Sequence, residues 1–375
     1  MRELTSSLKP VRTSLRNFHY LATIVLAAGL VPAFRAVGIP LRFTWKVYFI
    51  AFWWSLAFQS MVSAIVLYTI GFPAELRSKL TSRVQTRESP REALLALLIP
   101  SAYFFIMFIL VFSYNDVIAM LRFDGMADVT LNRVDSWILG GATISSLARG
   151  ISLKILKPLE SVYYLMFAQI GGCLVLLALR CGRDKAMRFI AALATAYYIG
   201  LIVFYFVPAT GPYYLSAIHQ DGNYIGEGQT AFVQLLNAMK DHKGLQVVGT
   251  DYFIAVPCLH LTQPLIAIWF VRKWKPIAIA LSVFCLLLIP AIILLQQHYV
   301  IDLIGGVVVA VFAVAMVSGE MEMEHRMVGS LAQSPTKLYI SICQTTLPKI
   351  RQIKSGRRFR KHIRDRRRTF PSGRF

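Results

Sequence analysis

Residues 276–318 read PIAIALSVFCLLLIPAIILLQQHYVIDLIGGVVVAVFAVAMVS. Two apolar runs, 276–295 and 298–318, meet at the polar junction Gln296-Gln297-His298, and Asp302 is the one formally charged residue in the stretch. A bilayer core of about 30 Å takes roughly 20 apolar residues as a helix. Each run is therefore long enough to cross, and the pair reads as a helical hairpin. The same pattern recurs outward from it, with candidate spans at about 19–38, 47–71, 93–115, 159–179, 188–207 and 257–271. The fold class this predicts is an all-α integral membrane protein with about eight transmembrane helices.

Composition agrees. Of the 375 residues 56% are hydrophobic and only 16% charged, and the mean hydropathy is +0.56. An ordinary soluble domain carries about 25% charged residues, so a soluble fold has too little charge to cover this much apolar surface. Disordered, collagen-like and disulfide-framework classes are excluded by the same figures. Cys173, Cys181, Cys258, Cys285 and Cys343 form no CxxC pair and no zinc spacing, so neither a metal site nor a cofactor is read from them. Arg2, Lys9, Arg12 and Arg16 precede the first run, which holds Arg35 and lacks a small-x-small cleavage site. A retained helix is expected there rather than a cleaved signal peptide.

The net charge of +21 lies between the runs and in the tail. Arg77, Lys79, Arg83, Arg87 and Arg91 fill 72–92; Arg180, Arg183, Lys185 and Arg188 fill 180–188; Arg272, Lys273 and Lys275 surround Trp274. From Gly319 onward there are 14 basic and 4 acidic residues. Under the positive-inside rule these stretches face the cytoplasm. Both termini are then inside, and the 208–256 loop, with only Lys240 and Lys243 as bases, is outside. Arg351–Arg368 holds ten Lys or Arg and one Asp, so the tail is expected to attract anionic membrane lipids rather than nucleic acid. The mild run 136–148 is too short and polar for an ordinary span, and is read as re-entrant or interfacial on the outer face. Ile151 to Pro158 reads as an amphipathic surface helix.

Ionisable groups in apolar helices are costly and therefore functional candidates. Of seven histidines, only His260 and His298 lie in or at the mouth of predicted spans. His298 and Asp302 are spaced i, i+4 and share a helix face. A carboxylate there can accept the Nδ1 proton, fix the tautomer and leave Nε2 as nucleophile or base; the plain alternative is a buried polar pair bracing two helices. His260 follows Val256-Pro257-Cys258-Leu259, with Pro257 suited to a first helical turn, at an electropositive N-terminal end that favours anions. Its plain alternative is a histidine satisfied by a carbonyl. Pro208-Ala-Thr-Gly211-Pro212-Tyr213-Tyr214 forms a rigid exit from the fifth span, its tyrosines suited to an interface belt. All three segments map to one face. Two imidazoles and a carboxylate converging there suit phosphoryl transfer: one ring attacks phosphorus, the carboxylate supports the cation, and the other ring protonates the leaving oxygen. Asn115-Asp116 reads as a helix exit near the same face. His219, Asp221, Lys240, His242 and Asp251 are a solvated loop face or a cap over the pocket.

Pro208 to Tyr214, Val256 to His260 and His298-Tyr299-x-x-Asp302 together resemble the type 2 phosphatidic acid phosphatase superfamily, closest to the branch containing inositol phosphorylceramide synthase. The resemblance covers about residues 188–318. It implies a six-helix core in which His298 is a phosphohistidine-forming nucleophile, Asp302 orients it and His260 is the acid and then the base. Pro208, Gly211, Pro212, Tyr213, Tyr214, Cys258 and Tyr299 would shape the substrate site, and no metal or other cofactor would be needed. This chain departs from the phosphatase pattern in three places. The first segment lacks Lys and Arg-Pro, Ala291-Ile292 stand where Ser-Arg would be, and Cys258 replaces Ser. Those cations neutralise a phosphomonoester dianion, so their absence leans toward diester transfer. The expected activity is transfer of a phospho-headgroup from a phospholipid donor to a lipid or polyol acceptor. The alternatives are a lipid-phosphate or polyprenyl-pyrophosphate phosphatase, and a non-enzymatic transporter or scaffold. The expected division is a two-helix extension (1–92), the catalytic membrane core (93–318) and the basic cytoplasmic tail (319–375).

Overall fold

A computed structural model of the chain describes residues 18–37, 90–122, 125–219, 224, 226, 229–230, 233 and 254–317. Among these there is no strand. The helices in chain order are α1 (Phe18–Ala36), α2 (Pro90–Arg122), α3 (Asp128–Ile138), α4 (Ile144–Ala148), α5 (Leu153–Cys181), α6 (Arg183–Phe206), α7 (Pro212–His219), α8 (Leu259–Val271), α9 (Lys275–Leu294) and α10 (Val300–Val317). Six of them, α1, α2, α5, α6, α9 and α10, are long and apolar enough to cross a membrane.

About eight spans are expected from the sequence, and among the described residues six helices are long and apolar enough to cross. The predicted span 47–71 lies outside the described residues. The predicted span 257–271 is the 13-residue α8, about 20 Å long at 1.5 Å per residue, short of a hydrocarbon core. Residues 136–148 do not form one helix: α3 ends at Ile138, Gly140 and Gly141 take positive φ, and α4 starts at Ile144. With 11 and 5 residues, neither piece reaches across a bilayer. Ile151 to Pro158 is not a separate surface helix. It is the entry to α5, where Leu156 is buried and Leu153 and Ile155 are exposed, so the amphipathic pattern belongs to the first turns of the span. Asn115-Asp116 is not a helix exit either, because the apolar residues from Val117 to Leu121 carry α2 on to Arg122.

α6 is the centre of the bundle and packs against α1, α2, α5 and α8. Its Ala191, Ala192, Ala194, Ala196 and Gly200 present little side chain, which lets neighbouring backbones approach closely in an apolar solvent that supplies no hydrophobic drive. α9 and α10 each bury one stripe and expose the other. Ile279, Val283, Leu286 and Leu287 on α9, and Ile304, Val307, Val308 and Val311 on α10, stand uncovered. These recur at helical spacing and form the surface that hydrocarbon would wet. α3, α4 and α7 cluster at one end of the bundle, with α4 also against α9. That end carries the segments around residues 208–214, His260 and His298.

Candidate active site

Three chain segments far apart in sequence are stitched together by backbone hydrogen bonds at this end. Ala255 N–H donates to Ala209 O (3.1 Å), Tyr213 N–H to Gln296 O (3.1 Å) and Cys258 N–H to Asp302 O (3.0 Å). The turn between α6 and α7 passes so close to the turn between α9 and α10 that it admits only glycine. Gly211 has φ +120°, and a Cβ there would lie 2.5 Å from the Gln297 carbonyl oxygen. Gly211→Ala should therefore push the two turns apart. A displacement of about 1 Å at a reacting centre costs on the order of 100-fold in rate, so turnover should fall by about that factor while the protein still extracts and elutes as a folded species. Wild-type kcat in the variant would show that the close approach has no bearing on the site.

The two imidazoles meet directly. His260 Nδ1 and His298 Nε2 are 2.8 Å apart. The far nitrogen of His298, Nδ1, lies 2.6 Å from the Ala255 carbonyl oxygen, and the far nitrogen of His260, Nε2, lies 2.6 Å from the Tyr163 hydroxyl. A carbonyl can only accept, so His298 Nδ1 carries a proton. For neutral rings the rest follows from donor and acceptor counting. His298 Nε2 is a bare lone pair, His260 Nδ1–H donates to it, and Tyr163 O–H donates to His260 Nε2. The hydrogen bonds all run in one direction, with the His260 proton aimed at the His298 lone pair.

Tyr163 is a member of this chain that the sequence does not single out, since it sits in the apolar face of α5 among ordinary core residues. Its role is to hold the His260 tautomer. Tyr163→Phe should lower kcat by about 10–100-fold, the usual cost of losing a partner that orients a working histidine, and should alter the pH profile. A change in KM alone, with kcat and the profile intact, would contradict that role.

Asp302 is fully buried, and its Oδ2 lies 3.6 Å from His298 Nδ1. Oδ2 accepts the Tyr299 N–H at 2.8 Å, while Oδ1 has no hydrogen-bond partner among the described residues. The sequence gives Asp302 the work of holding the Nδ1 proton; here the shorter contact is the Ala255 carbonyl, with the carboxylate next to it. Cys258 is fully buried and precedes α8 as its N-cap residue, with Pro257 before it, so Pro257 lies ahead of the first helical turn rather than within it.

Two buried carboxylates on α3 complete the frame. Asp128 Oδ1 accepts from Gly211 N–H (2.9 Å), Thr210 N–H (3.1 Å), Thr210 Oγ1–H (3.3 Å) and the Tyr299 hydroxyl (2.9 Å). One carboxylate thus ties the α6–α7 turn to the residue that follows His298. Asp135 accepts from Val300 N–H (2.7 Å) and Ile301 N–H (3.2 Å), capping the orphan amides at the start of α10 from another helix, where an anion is favoured. Burial pushes both carboxyls above the ordinary carboxylate range, and the hydrogen bonds from these amides offset only part of that rise. Asp128, Leu131 and Asp135 are the buried residues of α3. Their i, i+3, i+7 spacing is the sequence signal: two acids share the one apolar face of a short helix.

The other residues expected at the site fall as follows. Pro208 accepts Ala127 N–H at 2.6 Å and Pro212 opens α7. Tyr213 is buried to 4% exposure in the main core, which corrects its assignment to an interface belt, and Tyr214 is half-buried against the same core. Tyr299 is fully buried with its hydroxyl on Asp128. His219 is exposed at the end of α7, while Asp221, Lys240, His242 and Asp251 lie outside the described residues. Beside Tyr163 a cleft is lined by Glu160, Tyr164, Gln229 and Gln297.

The model of one protein family, the PAP2 superfamily, matches residues 139–316. No curated protein and no solved structure matches the chain at a significant level. The matched stretch holds His260, His298 and Asp302, while Asp128 and Asp135 lie ahead of it. Members of that superfamily are phosphatases or phosphotransferases, which suggests an enzyme of the lipid phosphatase or phosphotransferase kind.

Proposed function

We propose, from that superfamily match, that the chain is a membrane lipid phosphotransferase of the inositol phosphorylceramide synthase-like branch, moving a phospho-headgroup from a phospholipid to a lipid or polyol hydroxyl. The observation that carries the reading is the 2.8 Å contact between His260 Nδ1 and His298 Nε2, with each far nitrogen held by a partner of its own. The donor phosphate enters between the rings. His298 Nε2 forms a bond to phosphorus as the bond to the leaving oxygen breaks, and the His260 Nδ1 proton goes to that oxygen. Asp302 lies beside the resulting cationic ring and offsets its charge. The acceptor hydroxyl then gives its proton to His260 Nδ1 and attacks phosphorus, and the N–P bond breaks. Both half-reactions balance without a metal or other co-reactant.

A diester rather than a monoester fits the charges. Pro208 to Tyr214 contains no base, and Ala291-Ile292 occupy the positions where the resemblance would place a cation. Among the described residues the cleft beside Tyr163 is lined by an acid, two amides, two phenols, Gly226 and Leu295, with no Lys or Arg, which suits an uncharged hydroxyl acceptor. The basic stretches support a site on the non-cytoplasmic face with both termini in the cytoplasm, and a tail attracted to anionic lipid. The test is turnover of labelled phospholipids by purified protein, with and without ceramide or diacylglycerol. Transfer that requires the second alcohol is expected. Rapid phosphate release from a lysophospholipid or prenyl phosphate without an acceptor would make the chain a phosphatase instead.

A further inference from the structure

The atoms that the reading above assigns to attack and protonation are also good ligands for a soft cation. Cys258 Sγ, a nitrogen of His260 and a nitrogen of His298 all lie within 4.8 Å of one another. Each histidine already has the second partner that metal-bound imidazoles almost always show on the opposite ring nitrogen: the Ala255 carbonyl for His298 and the Tyr163 hydroxyl for His260. Those partners turn His298 Nε2 and His260 Nδ1 toward each other, and Cys258 Sγ lies within 4.8 Å of a nitrogen of each ring. Among the described residues, Cys258, His260 and His298 are the one His/Cys/Asp/Glu group gathered closely enough to hold an ion.

We propose that Cys258, His260 and His298 form a three-ligand site for a soft divalent cation such as Zn2+, and that the cation switches the proposed enzyme off. Three protein ligands with one open position are the usual arrangement for a zinc ion that retains a water. A thiolate with two imidazoles selects Zn2+ over Mg2+ or Ca2+, which prefer oxygen. The balance of protons is simple. The Cys258 thiol loses its proton to water as sulfur bonds the metal. The His260 proton leaves Nδ1, and Nε2 becomes the protonated nitrogen, donating to the Tyr163 oxygen in place of accepting from it. With both nitrogens bound to metal, neither attack by His298 nor protonation by His260 can occur. The cation and the phospholipid therefore compete for the same two atoms. The blocking half of this inference rests on the proposed phosphotransferase; the binding half does not.

The probe is Co2+ alone, titrated into the metal-free full-length protein in lipid nanodiscs. A single equivalent should give a thiolate-to-cobalt charge-transfer band with tetrahedral ligand-field absorption, and Zn2+ should displace it. Tyr163→Phe should weaken Zn2+ binding by about 10–100-fold, and Cys258→Ser should weaken it further and remove the charge-transfer band. His298→Ala, which keeps the thiol, should also lower the affinity, whereas Cys181→Ser at an exposed cysteine should leave the titration unchanged. Absence of the band, or a band that survives Cys258→Ser, overturns the site. Where turnover is measured, Zn2+ should raise the apparent KM for the phospholipid and leave kcat unchanged; a loss of kcat alone overturns the competition. Turnover without metal binding sinks this inference and leaves the enzyme standing. Metal binding without turnover of any phospholipid does the reverse.

Discussion

Replacing His298 by alanine is expected to abolish headgroup transfer, with a loss on the order of 10⁴-fold or more in kcat, the scale seen when a covalent nucleophile is removed. His260 is not a substitute. His260 Nδ1 is the nearest nitrogen, 2.8 Å from His298 Nε2, and in the proposed cycle it must deliver the proton that the leaving oxygen needs. The fold should survive, because the backbone bonds that join this turn to its neighbours come from Tyr213, Cys258, Val300 and Ile301 rather than from the imidazole. A second readout separates chemistry from folding. Acid-labile label from a phosphate-labelled donor should accumulate on wild-type protein in the absence of acceptor and be missing from His298→Ala. Transfer that persists in the variant at more than a few per cent would return the three residues to a structural or proton-relay cluster in a transporter or scaffold.

The part of this site legible in the sequence is the part whose residues violate a local expectation. His298 and Asp302 are polar groups at the mouth of a helix that is otherwise Val, Ile, Leu, Gly, Ala, Phe and Met, and such groups stand out against the cost of burying them. The long apolar spans were legible for the same reason, since a run of twenty apolar residues has few other uses. The parts that escaped lacked that contrast. Tyr163 is one aromatic residue in an apolar helix, and nothing in its neighbourhood on the chain points to His260, 97 positions away. α3 was obscured by its polarity. Asp128 and Asp135 lie among Thr, Asn, Arg and Ser, where acids are normally solvated, and only the helical phase that puts both on the side of Leu131 distinguishes them. A polar pair such as Asn115-Asp116 looks like a helix end in the sequence, yet apolar residues resume immediately after it and the helix continues to Arg122.

Asp128 carries the second large effect. Its carboxylate is the common acceptor for two backbone amides and two hydroxyls from segments 82 to 171 positions away. Alanine there would leave the amides of Thr210 and Gly211 buried without partners. A buried donor stranded in this way costs about 1–3 kcal/mol, and bonds to a charged acceptor are at the upper end, so Asp128→Ala should destabilise this end of the bundle by roughly 3 kcal/mol or more. The loss would be read as a lower unfolding temperature in detergent, together with a fall in kcat as the Thr210–Gly211 turn and Tyr299 separate. Asn is the informative contrast. Its single Oδ1 can keep the Gly211, Thr210 and Tyr299 donors that converge on that oxygen, while its amide group replaces Oδ2, which meets only the Thr210 N–H at 3.1 Å. Asp128→Asn should therefore recover most of the stability and much of the rate. If the residue instead touched the phosphate or moved a proton, Asn would be as damaging to kcat as Ala while restoring the unfolding temperature. Full activity in Asp128→Ala would remove Asp128 from the frame and leave His298 and His260 positioned by Ala255, Tyr163 of α5 and the helices α8, α9 and α10.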